Sequence, residues 1–325
     1  VTAILVGGYG ADMDGTATGI GWAVSDADGS FAYRGVAAET TSPSWITVAG
    51  TAVYAVLEGV AAVDVFEIDG DRLTTVERLD VGGTNPCHLA VSQGRPVVAC
   101  YGDGVVWTPG TAIAGSPDDR GPLPAQEGPH AHHVLALPDG RVLTLDLGTD
   151  RLYLHHWVGD VLARSDELAL PPGTGPRDLL PLPDGRIALL GEWSCELVVL
   201  EPAGDTFEIV QILQVPGATP GDDQASGLGL SADGRYLVAG IRGSNRVASM
   251  ALDADTVRPV GWVPSGGDWP RHLLVVGEYV HVANQLSNTV TTLRIGDDGT
   301  LTPHGEPVAV PSPTCLAAVG TASNV

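Results

Sequence analysis

The chain contains no lysine: all 16 of its basic residues are arginine, set against 39 acidic ones, for a net charge of −23. Without lysine there is no Schiff-base chemistry and no Walker-type phosphate loop. So acidic a chain is unsuited to nucleic acid and is not drawn to anionic lipid. No apolar run approaches the roughly 18 residues needed to span a bilayer. The opening residues VTAILVGGYG carry no charged stretch ahead of an apolar one, so the expectation is a soluble, cytoplasmic protein with no membrane partner. The four cysteines, Cys87, Cys100, Cys195 and Cys315, show no CxxC spacing, which removes zinc knuckles and thioredoxin-like sites and leaves them as small buried apolar residues. A two-residue hairpin turn at Gln93-Gly94 would set Cys87 opposite Cys100, where a disulfide is geometrically open but runs against the expected compartment. A GxSxG nucleophile elbow is also missing.

What the sequence has in quantity is turn residues, 43 Gly and 24 Pro, with an apolar fraction of 44% rich in Val. A unit recurs in which a Pro or small residue starts an apolar run, an Asp-Gly-type turn follows, and a second apolar run returns. Clear copies are PHAHHVLALPDGRVLTLDLGTDRLYLHHW at 129–157 and GPRDLLPLPDGRIALLGEWSCELVVLE at 175–201; weaker ones begin at Pro43 and Pro86. Taking Pro43, Pro86, Pro129, Pro176, Ala225, Pro270 and Pro313 as equivalent, the steps are 43, 43, 47, 49, 45 and 43 residues, the spacing of propeller blades. The alternation within a unit is that of hairpins, not of helices. The fold expected is all-β: a single domain over 1–325, a seven-bladed β-propeller of four-stranded antiparallel blades. The last start leaves room for one strand, so N- and C-terminal strands share a composite blade that closes the ring.

In such a blade the start of the first strand and the end of the second lie on one face of the ring. First-strand starts carry His88, His130, His132, Arg177, Asp178, Arg271 and His272; second-strand ends carry Glu58, Tyr101, Asp146, Glu192, Arg242 and Asn284-Gln285, with Tyr9 added from the composite blade. Arginines gathered at one opening of an acidic chain point to a carboxylate or phosphate ligand. Glu192, followed by Trp193, is expected either to be desolvated, with its pKa raised toward that of a useful base, or to hold a neighbouring arginine. Asp146 and Asp150 read as turn residues bonding their own backbone amides; His133 reads as structural, and His155, His156 and His304 fall in outer strands or loops. A metal site from His130, His132, Asp146 and Glu192 is disfavoured by the repulsion of Arg177 and Arg242, and no cofactor is expected.

At these residues the sequence resembles the seven-bladed propeller lactonase family, which includes bacterial 6-phosphogluconolactonases and fungal carboxymuconate lactonizing enzymes. The matching segments are PHAHHV at 129–134, DLGTDR at 146–151, GPRDLLPLPDGR at 175–186, LLGEWS around Glu192, AGIRGSN at 239–245, WPRHLL at 269–274, VANQLSNTV at 282–290 and SPTCLA at 312–317. The resemblance implies catalytic roles for His132, Glu192, Arg177 and Arg242; His130, Arg271, Gln285, His88 and Tyr101, gathered at the same opening by blade position, are expected to bind substrate. It departs from the family where Asp178 stands in place of the usual His after GPR, which takes a cationic donor from the mouth. The implied activity is hydrolysis of an anionic sugar lactone, first 6-phosphogluconolactone, with Glu192 taking a proton from water and His132 returning one to the leaving alkoxide. The alternatives are a carboxymuconate-type cycloisomerase and a non-catalytic binding scaffold. The partner expected is a small anionic lactone or carboxylate, with no obligate protein partner.

Overall fold

The computed structural model describes residues 1–116 and 118–320. Its elements grow from the Asp-Gly hairpins. In PDGR at 138–141 the Gly140 amide bonds the Leu137 carbonyl at 3.0 Å and the Leu137 amide bonds the Arg141 carbonyl at 2.8 Å. Gly140 takes φ 90°, the left-handed turn in which glycine is least strained. Asp139 Oδ1 accepts the Arg141 amide at 2.9 Å, and Asp184 does the same for Arg186 at 3.0 Å.

Among the described residues, 28 strands form seven four-stranded antiparallel sheets. Six are built from consecutive strands. The seventh pairs the C-terminal strand Pro313–Ala318 with Thr2–Gly8, Gly19–Ser25 and Phe31–Glu39, so the ring closes through both ends of the chain as the repeat count required. Blades pack face to face: Leu190 and Leu197 of the fourth, counting from Pro43, share a buried cluster with Leu237 and Ile241 of the fifth. Each such side chain contributes roughly 1.5–3 kcal/mol by leaving water.

The innermost strands are Pro43–Ala49, Pro86–Ser92, Ala131–Ala136, Pro176–Pro181, Gln224–Leu230, Pro270–Val276 and Pro313–Ala318. Each carries a register shift near its start. Pro86 pairs with Cys100 but His88 with Ala99; Pro176 pairs with Gly191 but Asp178 with Leu190; Pro270 pairs with Asn284 but His272 with Ala283. The same shift passes over Ser44, His132 and Thr314, and in the fifth blade over Ser226-Gly227. A bulge of this kind turns its extra residue out of the ladder. As a result Ser44, Cys87, His132, Arg177, Ser226, Arg271 and Thr314 converge on one void of about 30 Å³, with Trp45, His88, His133, Asp178 and His272 also on its wall. On the side of this second tier the central channel widens to about 520 Å³ between the inner strands.

The bulge also settles the cysteines. Gln93 and Gly94 form the expected two-residue turn, with φ of 51° and 76° between paired Ser92 and Arg95. Cys87 nevertheless lies outside the ladder, Pro86 takes its place opposite Cys100, and all four thiols are free.

Candidate active site

Glu192 follows the second strand Ile187–Gly191 and is fixed by its backbone, whose amide donates to Gly175 O at 2.8 Å and whose carbonyl accepts Ala225 N at 3.1 Å. Its Oε2 lies 2.5 Å from an Arg177 nitrogen and 2.9 Å from one of Arg242. The three side chains are buried, at 5%, 7% and 4% exposure. Arg177 is steered by its Nε donating to Ser226 O at 2.8 Å, and Arg242 donates to Ala225 O at 3.1 Å. Burial alone raises the Glu192 pKa, but the charges and hydrogen bonds of Arg242 and Arg177 outweigh it and leave the carboxyl below its ordinary value. The raised pKa expected from Trp193 is therefore corrected: the glutamate holds two arginines, and the indole packs on Gly175, where an added Cβ would meet it at 2.1 Å.

The same Arg177 nitrogen reaches His132 Nε2 at 2.7 Å. A guanidinium only donates, so Nε2 accepts and the hydrogen sits on Nδ1. Burial first, then Arg177, lowers the His132 pKa well below its ordinary value, and the ring is neutral at physiological pH. Beside it, Tyr101 stacks on His130 at 4.5 Å and stands edge-on to His132 at 6.1 Å; His130 Nδ1 is held by Tyr101 O at 2.7 Å.

Arg271 is arranged differently. Its two terminal nitrogens reach Tyr9 Oη at 2.7 Å and Gln285 Oε1 at 3.3 Å, and its guanidinium lies 4.8 Å from the centre of the Tyr9 ring. Tyr9 Oη donates onward to Glu58 Oε2 at 3.0 Å, so the carboxylate reaches this arginine only through a phenol.

The structure thus brings together His132, Glu192, Arg177 and Arg242, with Arg271, Gln285, Tyr101 and His130 around them. It does not bring His88 to the mouth. His88 lies one residue beyond the bulge and stacks on His133 at 3.8 Å, with Trp45 4.0 Å away and Val134 N donating to its Nδ1 at 3.2 Å. Asp178 and His272 share this second tier. Asp178 Oδ1 lies 2.9 Å from His133 Nδ1, its Oδ2 accepts Leu228 N at 2.7 Å, and His272 accepts Leu316 N at 3.2 Å. Asp146 caps its own turn, accepting the amides of His130, Gly148 and Thr149. Asp150 does not: it reaches Gln126 and the amides of Gly173 and Gly175, tying down the loop ahead of Arg177. Sequence reasoning missed Cys87, Ser226, Ser44 and Thr314 on the axis, although their place directly after the equivalent repeat positions Pro86, Ala225, Pro43 and Pro313 was a usable signal. Among the described residues no three His, Cys, Asp or Glu side chains converge as a metal-ligand set, and no helix is long and apolar enough to cross a membrane.

Comparison with known proteins agrees with this fold. A 6-phosphogluconolactonase of Bacillus subtilis is 28% identical over 310 residues, covering 86% of this chain and 88% of its own. The periplasmic gluconolactonase of Pseudomonas aeruginosa superposes with a TM-score of 0.90 at 26% identity, covering 99% of both chains. A protein from Lactobacillus plantarum superposes with a TM-score of 0.89 at 26% identity, covering 98% of this chain and 99% of that one. The family described as lactonase, 7-bladed beta-propeller, matches residues 3–318, and the chain belongs to it.

Proposed function

We propose that the protein hydrolyses an anionic sugar lactone by direct attack of water, with 6-phosphogluconolactone the first candidate. The observation that carries this reading is Arg271, a guanidinium at the mouth with a phenol and an amide oxygen for partners and no ion pair among the described residues. Arg177 and Arg242 already share the Glu192 carboxylate. The phosphate or carboxylate of a substrate therefore gains most at Arg271. The Bacillus relative's name supports the phosphorylated substrate.

In the reaction the lactone carbonyl oxygen lies against Arg177 and Arg242 and becomes an oxyanion as water attacks, a charge these donors meet only in the transition state. Both ionic contacts of Glu192 fall on Oε2, which leaves Oε1 to take the water proton. Its lowered pKa makes it a weak base at rest. As negative charge grows beside the two arginines their field is offset, and the proton affinity of Glu192 rises with the barrier. Neutral His132 takes that proton at Nε2 once Arg177 turns to the oxyanion, and passes it to the ring oxygen as its bond to the acyl carbon breaks. The new carboxylic acid then ionises, releasing one proton per turnover.

The test is acid release from 6-phosphogluconolactone, corrected for uncatalysed opening, with wild type and Arg271→Met compared. The expected result is acceleration by the wild type and about a hundredfold loss of kcat/KM in the variant, the scale of one charge-assisted pair. The loss should be smaller on unphosphorylated D-glucono-1,5-lactone. A wild type without acceleration on either lactone overturns the function, and a variant with unchanged kcat/KM overturns the role of Arg271.

A further inference from the structure

The chain turns into five of its inner strands through a residue with a left-handed backbone: Ser42, Asn85, Gly175, Trp269 and Ser312, at φ 39°, 48°, 56°, 65° and 34°. Each stands immediately before the proline that begins the strand. The conformation belongs to the architecture, since it recurs from blade to blade. It crowds Cβ against the backbone, and a following proline narrows the allowed region further. Four of the five positions carry Ser, Asn or Gly; the sixth blade, alone among these, carries tryptophan.

Nothing in the backbone calls for an indole. The position is held by the Trp269 amide donating to Asn245 Oδ1 at 2.8 Å and its carbonyl accepting Gln285 N at 3.1 Å, bonds that any residue would make. The side chain supplies the reason. The Arg242 guanidinium lies over one face of the half-buried indole, 5.3 Å from the ring centroid, and Arg242 is one of the two arginines on Glu192. Trp269 also precedes Arg271 by two residues and bonds through its carbonyl to Gln285, the residue that receives Arg271. A strained bulky residue kept against a reactive cluster indicates function.

Resting on the lactonase reading, we propose that the face of Trp269 opposite Arg242 is the platform on which the sugar ring of the substrate stacks, and that the substrate is a cyclic polyhydroxylated lactone with one open C–H face. An aromatic face buries such C–H groups and leaves the hydroxyls free at the edges. Arg271 then lies to one side for the anionic substituent, with Arg177 and Arg242 for the carbonyl.

The experiment compares wild type, Trp269→Asn and Trp269→Phe on D-glucono-1,5-lactone and 6-phosphogluconolactone, with thermal melting of each protein. Asn already occupies this position in the second blade as Asn85, so Trp269→Asn folds with an unreduced melting temperature. Its KM rises about tenfold, the scale of losing one well-packed ring face, with kcat little changed. Trp269→Phe keeps a ring and its KM stays within about threefold of wild type. Equal KM in wild type and Trp269→Asn overturns the platform. So does a loss shared by both variants together with lowered melting, which makes the indole mere packing. A wild type that opens neither lactone refutes the function first, in a separate lane, and the platform falls with it.

Discussion

Replacing Glu192 by Gln removes one negative charge from between two buried guanidiniums at 2.5 and 2.9 Å. All three side chains are less than 10% exposed, so solvent screens them little. Breaking a buried ion pair by removing one partner costs about 3–5 kcal/mol. The glutamine oxygen still accepts from one arginine, which places Glu192→Gln near the lower end, about 3 kcal/mol. For a chain of 325 residues that is a fall in Tm of roughly 4 °C. Arg242 shows why the loss is felt: burial, Arg177 and Arg271 push its pKa down, and Glu192 is the main opposing charge. Under the proposed mechanism turnover should fall by about a hundredfold or more, since the variant loses the proposed proton acceptor as well as the clamp on the two arginines proposed to meet the oxyanion. Calorimetry read beside corrected acid release from a sugar lactone separates the two effects. A Tm within about 2 °C of wild type would mean that the arginines do not depend on this carboxylate, and full retention of acceleration would move the chemistry to another group.

Acid should weaken the fold before its carboxylates titrate. His88, His132, His155, His272 and His281 all have lowered pKa values, chiefly through burial, with His155 at about 3 and His272 and His281 at about 4. The unfolded chain binds protons at these sites below about pH 6.5 while the folded one does not, so each costs up to about 1.4 kcal/mol per pH unit from there down to its folded value. A urea midpoint unchanged between pH 7 and 5 would contradict the neutral, buried assignment. Asp178→Ala breaks the pair with His133 and the bond from Leu228, and should lower stability by about 2–3 kcal/mol while KM for a sugar lactone stays within about threefold. A large change in substrate preference would place Asp178 at the mouth after all. The thiols of Cys100, Cys195 and Cys315 are raised to about 12, 11 and 12, and Cys87 is raised as well, mainly by burial. The native protein should therefore resist alkylation at pH 8 and yield four thiols only in denaturant; rapid labelling of the native chain would show that one is open.

The blade count, the hairpin turns and the composite seventh blade were legible because they follow from period and turn chemistry, which act within a few residues. The cluster of Glu192, Arg177, Arg242 and His132 was legible for the same reason: equivalent places in equivalent blades must converge. The bulge was not legible. A pattern of alternating residues carries no mark of one that drops out of the ladder, so His88 and His132 looked equivalent when they stand in different tiers. The pKa of Glu192 was unreadable for another reason. Trp193 is its neighbour in sequence, but Arg242 lies 50 positions on, and it is the distant charges that decide the shift.

The two tiers separate ligand chemistry from ring chemistry. An inner strand has no partner on its channel side, so its amides and carbonyls on that edge need bonds from elsewhere. Second-tier side chains supply several of them across blade boundaries: His88 accepts Val134 N, Asp178 accepts Leu228 N and His272 accepts Leu316 N. Thr47 donates to Leu89 O, and in the upper tier Ser226 donates to Pro270 O and Thr314 to Ser44 O. Each bond joins one blade to the next around the ring. The aspartate in place of the family histidine can serve here because an edge amide needs only an acceptor, which a carboxylate or a neutral imidazole both provide. The bulge is what allows His132-His133, Arg177-Asp178 and Arg271-His272 to face one axis from consecutive positions, the first member toward the arginine-rich opening and the second toward the neighbouring blade. Substitutions in the second tier should therefore loosen the ring before they alter the chemistry, and those in the first should do the reverse wherever, as at Arg271, no buried ion pair depends on them.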